Sequence, residues 1–134
     1  MFQPTSTVKA LDHIVLTVAS IPTTVSFYEK HLGMKHEAFS SPKEPSVVRH
    51  ALLFGSQKIN LHKSGAEFEP KAQTVQPGSG DLCFVTETPV EQVLEGFKQQ
   101  GVEVLEGGKV VDRTGAVGAL RSVYVRDPDG NLIE

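Results

Sequence analysis

Residues 10–33, ALDHIVLTVASIPTTVSFYEKHLG, and residues 80–101, GDLCFVTETPVEQVLEGFKQQG, follow one plan. Each begins with a short run rich in apolar and β-branched residues, the composition of a strand. Each then passes a hydroxyl residue and a proline into residues spaced for a helix, and each ends on glycine. In the first stretch Ser20 is a candidate N-cap and Pro22 suits the first helical turn. Ile21, Val25, Tyr28 and Leu32 recur at helical spacing, and Gly33 is a natural C-cap. In the second stretch Thr88 is the candidate cap and Pro89 opens the helix. Val90, Val93, Leu94 and Phe97 share a face ahead of Gly101.

The segments that follow also correspond. After the first helix MKHEAFS (34–40) reads as a strand, and SPKEPS (41–46) as a loop or edge by its two prolines. VVRHALLF, GSQ and KINLH (47–62) read as a hairpin, and a long Gly- and Pro-containing loop runs from Lys63 to Gly80. After the second helix VEVLEGG (102–108) reads as a strand, followed by a glycine-rich loop, then LRSVYVR, the turn DPDG and NLIE. Asp-Gly between apolar runs is a strong hairpin signal. The chain therefore reads as βαβββ twice, over 10–62 and 80–134, within one α+β domain spanning 1–134. Units of about 55 residues are too small to be secure alone, so they must pair. Packed side by side they form a curved sheet, a half-open barrel with the helices on its convex face.

Side chains alternate across a sheet, which sorts the polar residues. Ile14, Leu16 and Val18 pack under the first helix, while His13, Val15 and Thr17 point into the concavity. In the second unit Leu82 and Phe84 pack under the helix, while Asp81, Cys83 and Val85 point inward. On KINLH the inward residues are Lys58, Asn60 and His62. On NLIE they are Leu132 and Glu134. Four polar positions thus converge: His13, His62 (or Asn60), Asp81 and Glu134. Imidazole and carboxylate donors suit a divalent metal such as Zn, Ni, Co, Mn or Fe, and a carboxylate beside a metal can act as a base. His50 shares parity with Leu52 and Phe54 and is a candidate cavity residue. Arg113 near the cavity mouth can clamp a carboxylate or phosphate, and Tyr124 can supply a hydroxyl or an aromatic wall.

LDHIVLTV at the start, FYEKHLGM at the end of the first helix and VYVRDPDGNLIE at the end resemble the vicinal oxygen chelate superfamily. That group includes glyoxalase I, methylmalonyl-CoA epimerase, extradiol dioxygenases and fosfomycin-resistance transferases. KINLHKSGAEFEPKA and RTGAVG look like the glyoxalase domain-containing protein 5 group and its bacterial relatives. The resemblance implies the paired-module fold, His13 and Glu134 as metal ligands, and Asp81 where a histidine is common. It places Asn60 where other members carry a Glu or Gln ligand, and His62 two residues on can substitute. It implies a lyase or isomerase of the lactoylglutathione lyase kind. The metal would hold two oxygens of a small dicarbonyl–thiol adduct, with Glu134, or Asp81 if it does not ligate, moving the proton through an enediolate. Two alternatives stand beside it: Fe(II) ring cleavage by His13, His62 and Glu134, and metal-free sequestration of a drug, as in bleomycin resistance. The family also implies a homodimer.

Composition narrows the classes further. A net charge of −3 leaves no basic face for nucleic acid. The single cysteine excludes an intrachain disulfide and points to a reducing, cytoplasmic setting. No run of about 18 apolar residues predicts a membrane segment, so the expected partner is a small-molecule substrate. Cys83 is expected to be a buried, inert thiol, and His31 a helix-dipole partner. Asp127 and Asp129 form a turn rather than a catalytic pair. No serine or cysteine sits in a nucleophile elbow, and the GG and GAVG stretches lack the setting of a phosphate loop.

Overall fold

The computed structural model describes residues 2–134. The elements run β1 (His13–Val18), α1 (Ile21–Leu32), β2 (Lys35–Ser41), β3 (Glu44–Phe54) and β4 (Gln57–Lys63). They continue as β5 (Asp81–Leu82), α2 (Val90–Gln99), β6 (Val111–Gly115), β7 (Gly118–Ser122), β8 (Val125–Arg126) and β9 (Leu132–Ile133). The fold is α+β. The first sheet has the order β1-β4-β3-β2, with β1 and β4 parallel and the other pairs antiparallel. The same pattern recurs afterwards: β5 and β9 are parallel, β8 and β9 antiparallel, β6 and β7 antiparallel.

The first helix forms as its sequence predicts. Ser20 Oγ accepts from the Thr23 amide at 3.3 Å, a proline lies in the first turn, and Gly33 closes the helix at φ 65°. The second helix differs. Its cap position is Pro89, which makes no side-chain capping bond, rather than Thr88. The Pro89 carbonyl accepts from Gln92 and Val93 instead.

Three segments depart from the predicted strands. SPKEPS, expected as a loop or edge, is the hairpin at the sheet's edge: the edge strand β2 extends to Ser41 and pairs with Glu44, so Pro42 and Lys43 make the turn. Residues 102–108 form no strand. Val102 and Val104 pack on the core, but Glu106, Gly107 and Gly108 all have positive φ and curl into a 3-10 turn. The ladder expected there forms later, where Gly115 pairs with Gly118 across an Ala116–Val117 turn. LRSVYVR is accordingly split between β7 and β8.

One core serves both units. Leu16, Val18, Leu52, Ile59 and Leu61 from the first sheet cluster with Phe97, Val125 and Ile133 from the second unit. Val18, Leu52 and Ile59 are fully buried, as alternation on β1, β3 and β4 requires. His31 lies between the rings of Phe27 (4.8 Å) and Phe97 (5.9 Å). It lies in the last turn of α1, as expected for a helix-dipole partner, while burial and then Lys30 depress its pKa.

The units are locked together at the DPDG turn. Asp127 is buried and accepts from the Tyr28 hydroxyl at 2.7 Å and from Asn131 Nδ2 at 2.8 Å. The Asp129 and Asn131 amides bond its other oxygen at 3.0 and 2.9 Å. The Gly80 amide donates to Asn131 Oδ1 at 2.6 Å, and the Ala19 amide to Asp129 Oδ1 at 3.0 Å. Gly80 has no room for a side chain: a Cβ there would sit 2.8 Å from Asn131 Oδ1.

Loss of this junction should register as stability. Asp127→Ala strands several buried donors and should cost at least about 3 kcal/mol in urea unfolding, against about 1–2 kcal/mol for Tyr28→Phe. Burial and Asp127 raise the Tyr28 pKa well above 10.0. The native state then keeps a proton that the unfolded chain loses, so stability should fall as pH rises past about 10. In Tyr28→Phe that alkaline slope should flatten; an unchanged slope would assign it to other groups.

Candidate functional site

The inner faces of β1 and β4 are fixed by their register. His13 lies opposite Lys58, Val15 opposite Asn60 and Thr17 opposite His62. Asn60 is therefore the diagonal neighbour of His13 on the same face. In the second unit Asp81 lies opposite Leu132, which makes Glu134 the diagonal neighbour of Asp81. The two diagonals correspond, so the counterpart of Glu134 is Asn60 and not His62. His13 and His62 stand four residues apart along paired strands, roughly 13 Å, too far to share one ion. The expectation that His62 substitutes for Asn60 beside His13 is corrected by this register. The Fe(II) reading built on both histidines loses its ligand set for the same reason.

Glu134 is held in place. Its amide donates to the Leu82 carbonyl and its carbonyl accepts from the Phe84 amide, both at 2.8 Å. Ser122 Oγ donates to Glu134 Oε2 at 2.6 Å. Tyr124 stands beside it, and Arg113 Nε donates to the Tyr124 hydroxyl at 3.2 Å. Burial raises the Tyr124 pKa; the Arg113 bond opposes this and Glu134 adds to it. Cys83 is exposed rather than buried. Its thiol pKa is raised by partial burial, then by Glu134 and Asp81, which keeps it protonated and a poor nucleophile. Ser122 was not singled out by sequence reasoning. Its parity with Tyr124 and Glu134 was the available signal, obscured by the break between β7 and β8.

In the first unit His13 Nδ1 lies 2.8 Å from Asp12 Oδ1, at an exposed position. His50 faces the other way. It shares the helix-bearing face with Leu52, and His36 Nε2 lies 2.9 Å from its Nδ1. The two rings line an open groove with Ile21, Pro22, Val25 and Glu29 of α1. His50 is thus removed from the inner face expected for it. Among the described residues no three His, Cys, Asp or Glu side chains of one chain gather as a metal cluster. The structure brings together Glu134, Tyr124 and Arg113 on one unit. It places His13, Asn60 and His62 on the inner face of the other.

The Glyoxalase/Bleomycin resistance protein/Dioxygenase superfamily model matches residues 10–134. The chain belongs to this superfamily. It is 51% identical to virulence protein STM3117 of Salmonella typhimurium over 92% of this chain and 81% of that one. It is 49% identical to glyoxalase domain-containing protein RDO1 of Mycosarcoma maydis over 95% of this chain and 67% of that one. An integron cassette protein structure from Vibrio cholerae superposes with a TM-score of 0.86 at 55% identity, covering 96% and 94% of the two chains. At 20% identity and a TM-score of 0.67, the lactoylglutathione lyase of Agrobacterium tumefaciens shares the fold, over 96% of this chain and 92% of that one. Superfamily members bind small molecules, often with divalent metals and often as dimers. No helix among the described residues is long and apolar enough to cross a membrane.

His62 offers a direct titration. Burial, then the neighbouring Arg49 charge, depress its pKa below the ordinary 6.5, against a smaller opposing effect of Glu67. The native imidazole stays neutral while the unfolded one protonates, so this group makes stability fall as pH drops below 6.5. The NMR midpoint of His62 should lie below 6.5 and rise toward it in Arg49→Gln. A midpoint unmoved by that substitution would show that the charge is not felt.

Proposed function

We propose that the protein is a metal-dependent lyase or isomerase of the glyoxalase type, acting on a small dicarbonyl–thiol adduct. The observation that carries this reading is the fixed carboxylate of Glu134. A general base must be held within reach of the proton it moves. Ser122 holds one oxygen of Glu134, and the strand backbone holds the residue itself.

The donor set has the chemistry of a divalent site: one imidazole from His13 and two carboxylates from Asp81 and Glu134. These donors lie on two units and do not gather within one chain. The reading therefore includes a homodimer in which the inner face of one chain completes that of another. A bound divalent ion would supply positive charge to oxygens that become anionic during the reaction. Glu134 removes a proton from the carbon beside a carbonyl and returns it to the neighbouring carbon, so no proton is gained or lost. Tyr124, kept protonated, can donate to a substrate oxygen, and Arg113 fixes its direction. The cytoplasm, where thiol adducts form, is the setting this chemistry requires.

The test is metal content and turnover together. Protein purified without chelator should hold stoichiometric divalent metal and convert the methylglyoxal–glutathione hemithioacetal. Chelation should abolish turnover, and Ni, Co, Zn or Mn should restore it. Glu134→Gln should lower kcat by about a hundredfold or more with the fold intact. Metal-free protein that no added ion activates would sink the proposal. Tight drug binding unaffected by His13→Ala would then favour sequestration.

A further inference from the structure

Beyond His13 and Asn60, the inner face of the first sheet carries a second polar group. Register continued one step past the His50–Leu61 pair puts Arg49 opposite His62. Phe68, from the segment after β4, covers both. Its ring centroid is 4.0 Å from the Arg49 guanidinium carbon and 5.3 Å from the His62 ring, which meets it edge-on. Three polar atoms here are buried without a partner: Arg49 Nε, His62 Nδ1 and Asn60 Oδ1. Buried polar atoms are normally satisfied, so three together on one face mark a place built for something else. Among the described residues Arg49 makes no ion pair. The nearby Glu67 carboxylate accepts instead from the Gly65 amide at 2.6 Å and from Lys71 at 3.5 Å.

We propose that Arg49, His62 and Asn60 form a pocket for the carboxylate of a small organic acid bearing a neighbouring hydroxyl. The aromatic ring supports one face of the guanidinium and leaves its edge for a planar, two-oxygen acceptor. His62, beside the guanidinium, adds a ring nitrogen to the same face. The planar fork of Arg49 matches the two coplanar oxygens of a carboxylate better than the tetrahedral oxygens of a free phosphate. Asn60 Oδ1 accepts from the hydroxyl. An unneutralised guanidinium beside His62 also opposes a cation there, which agrees with the register that separates His62 from His13. The pocket is a binding site beside the one proposed above and does not rest on that reading; binding of the acid does not need the metal.

Titration with glycolate and, separately, inorganic phosphate tests it, followed by the NMR signals of Ala51, Asn60 and His62. Glycolate should shift these signals saturably, equally in untreated and chelator-treated protein. Arg49→Gln should weaken binding about tenfold or more. Arg49→Lys keeps the charge and loses the fork, and should still weaken it several-fold. Wild-type affinity in either folded variant, or phosphate binding as tight as glycolate, would overturn the proposal. Turnover that survives chelation while glycolate still binds would defeat the metal-dependent reading and leave the pocket standing.

Discussion

Asp127 is a buried carboxylate with four donors on its two oxygens, and the arrangement of the units depends on it. A carboxylate out of water is costly unless its lone pairs are filled, so the surrounding chain has little freedom. Three donors come from the turn itself. The fourth, the Tyr28 hydroxyl, comes from a helix of the other unit, 99 residues away in sequence. Asn131 extends the network to Gly80 at the head of β5, and Asp129 extends it to Ala19 at the end of β1. One turn therefore anchors the exit of β1 and the entrance of β5, the first strands of the two units. Glycine at 80 is required by the closeness of that approach.

With those strand ends fixed, the inner faces follow. β1 leads into the junction from His13, and β9 leads away from it to Glu134. Each unit then offers one polar residue from its first strand and one from its last, at the same diagonal. That equivalence separates Asn60 from His62, which parity alone could not do because both face inward. Parity assigns a face; only register assigns a position along it.

The legible parts of the fold are those governed by local rules. Caps and spacing located α1 to the residue, and alternation placed Ile14, Leu16, Val18, Ile59 and Leu61 on the core side. The illegible parts depend on partners distant in sequence. VEVLEGG has strand composition, yet consecutive positive-φ residues at 106–108 end any ladder, and the hairpin forms from weaker β-formers at 111–122. Tyr28 reads as a core aromatic from helical spacing, and nothing local reveals that its hydroxyl meets Asp127. Cys83 sits between apolar neighbours, but alternation puts it on the face of Asp81 and Glu134, which is open rather than buried. The family motifs pointed to His13 and Glu134. Arg49 and Phe68 belong to no motif, and their meeting requires the segment after β4 to fold back over the sheet.

The electrostatics of the inner surface divide along the same line. Carboxylates from Asp81 and Glu134 favour a cation, and Ser122 orients Glu134 without neutralising it. Arg49 and Lys58 on the first sheet favour an anion, with Lys58 held over the Phe39 ring at 4.8 Å. A substrate carrying both a carboxylate and metal-seeking oxygens would span the two regions, each repelling the end meant for the other. Opposite fields on the two inner faces orient a small molecule that meets both, because reversing the molecule places like charges together at both ends. The proton transfer proposed for Glu134 depends on such orientation, because a base fixed on a strand reaches only one face of what is bound.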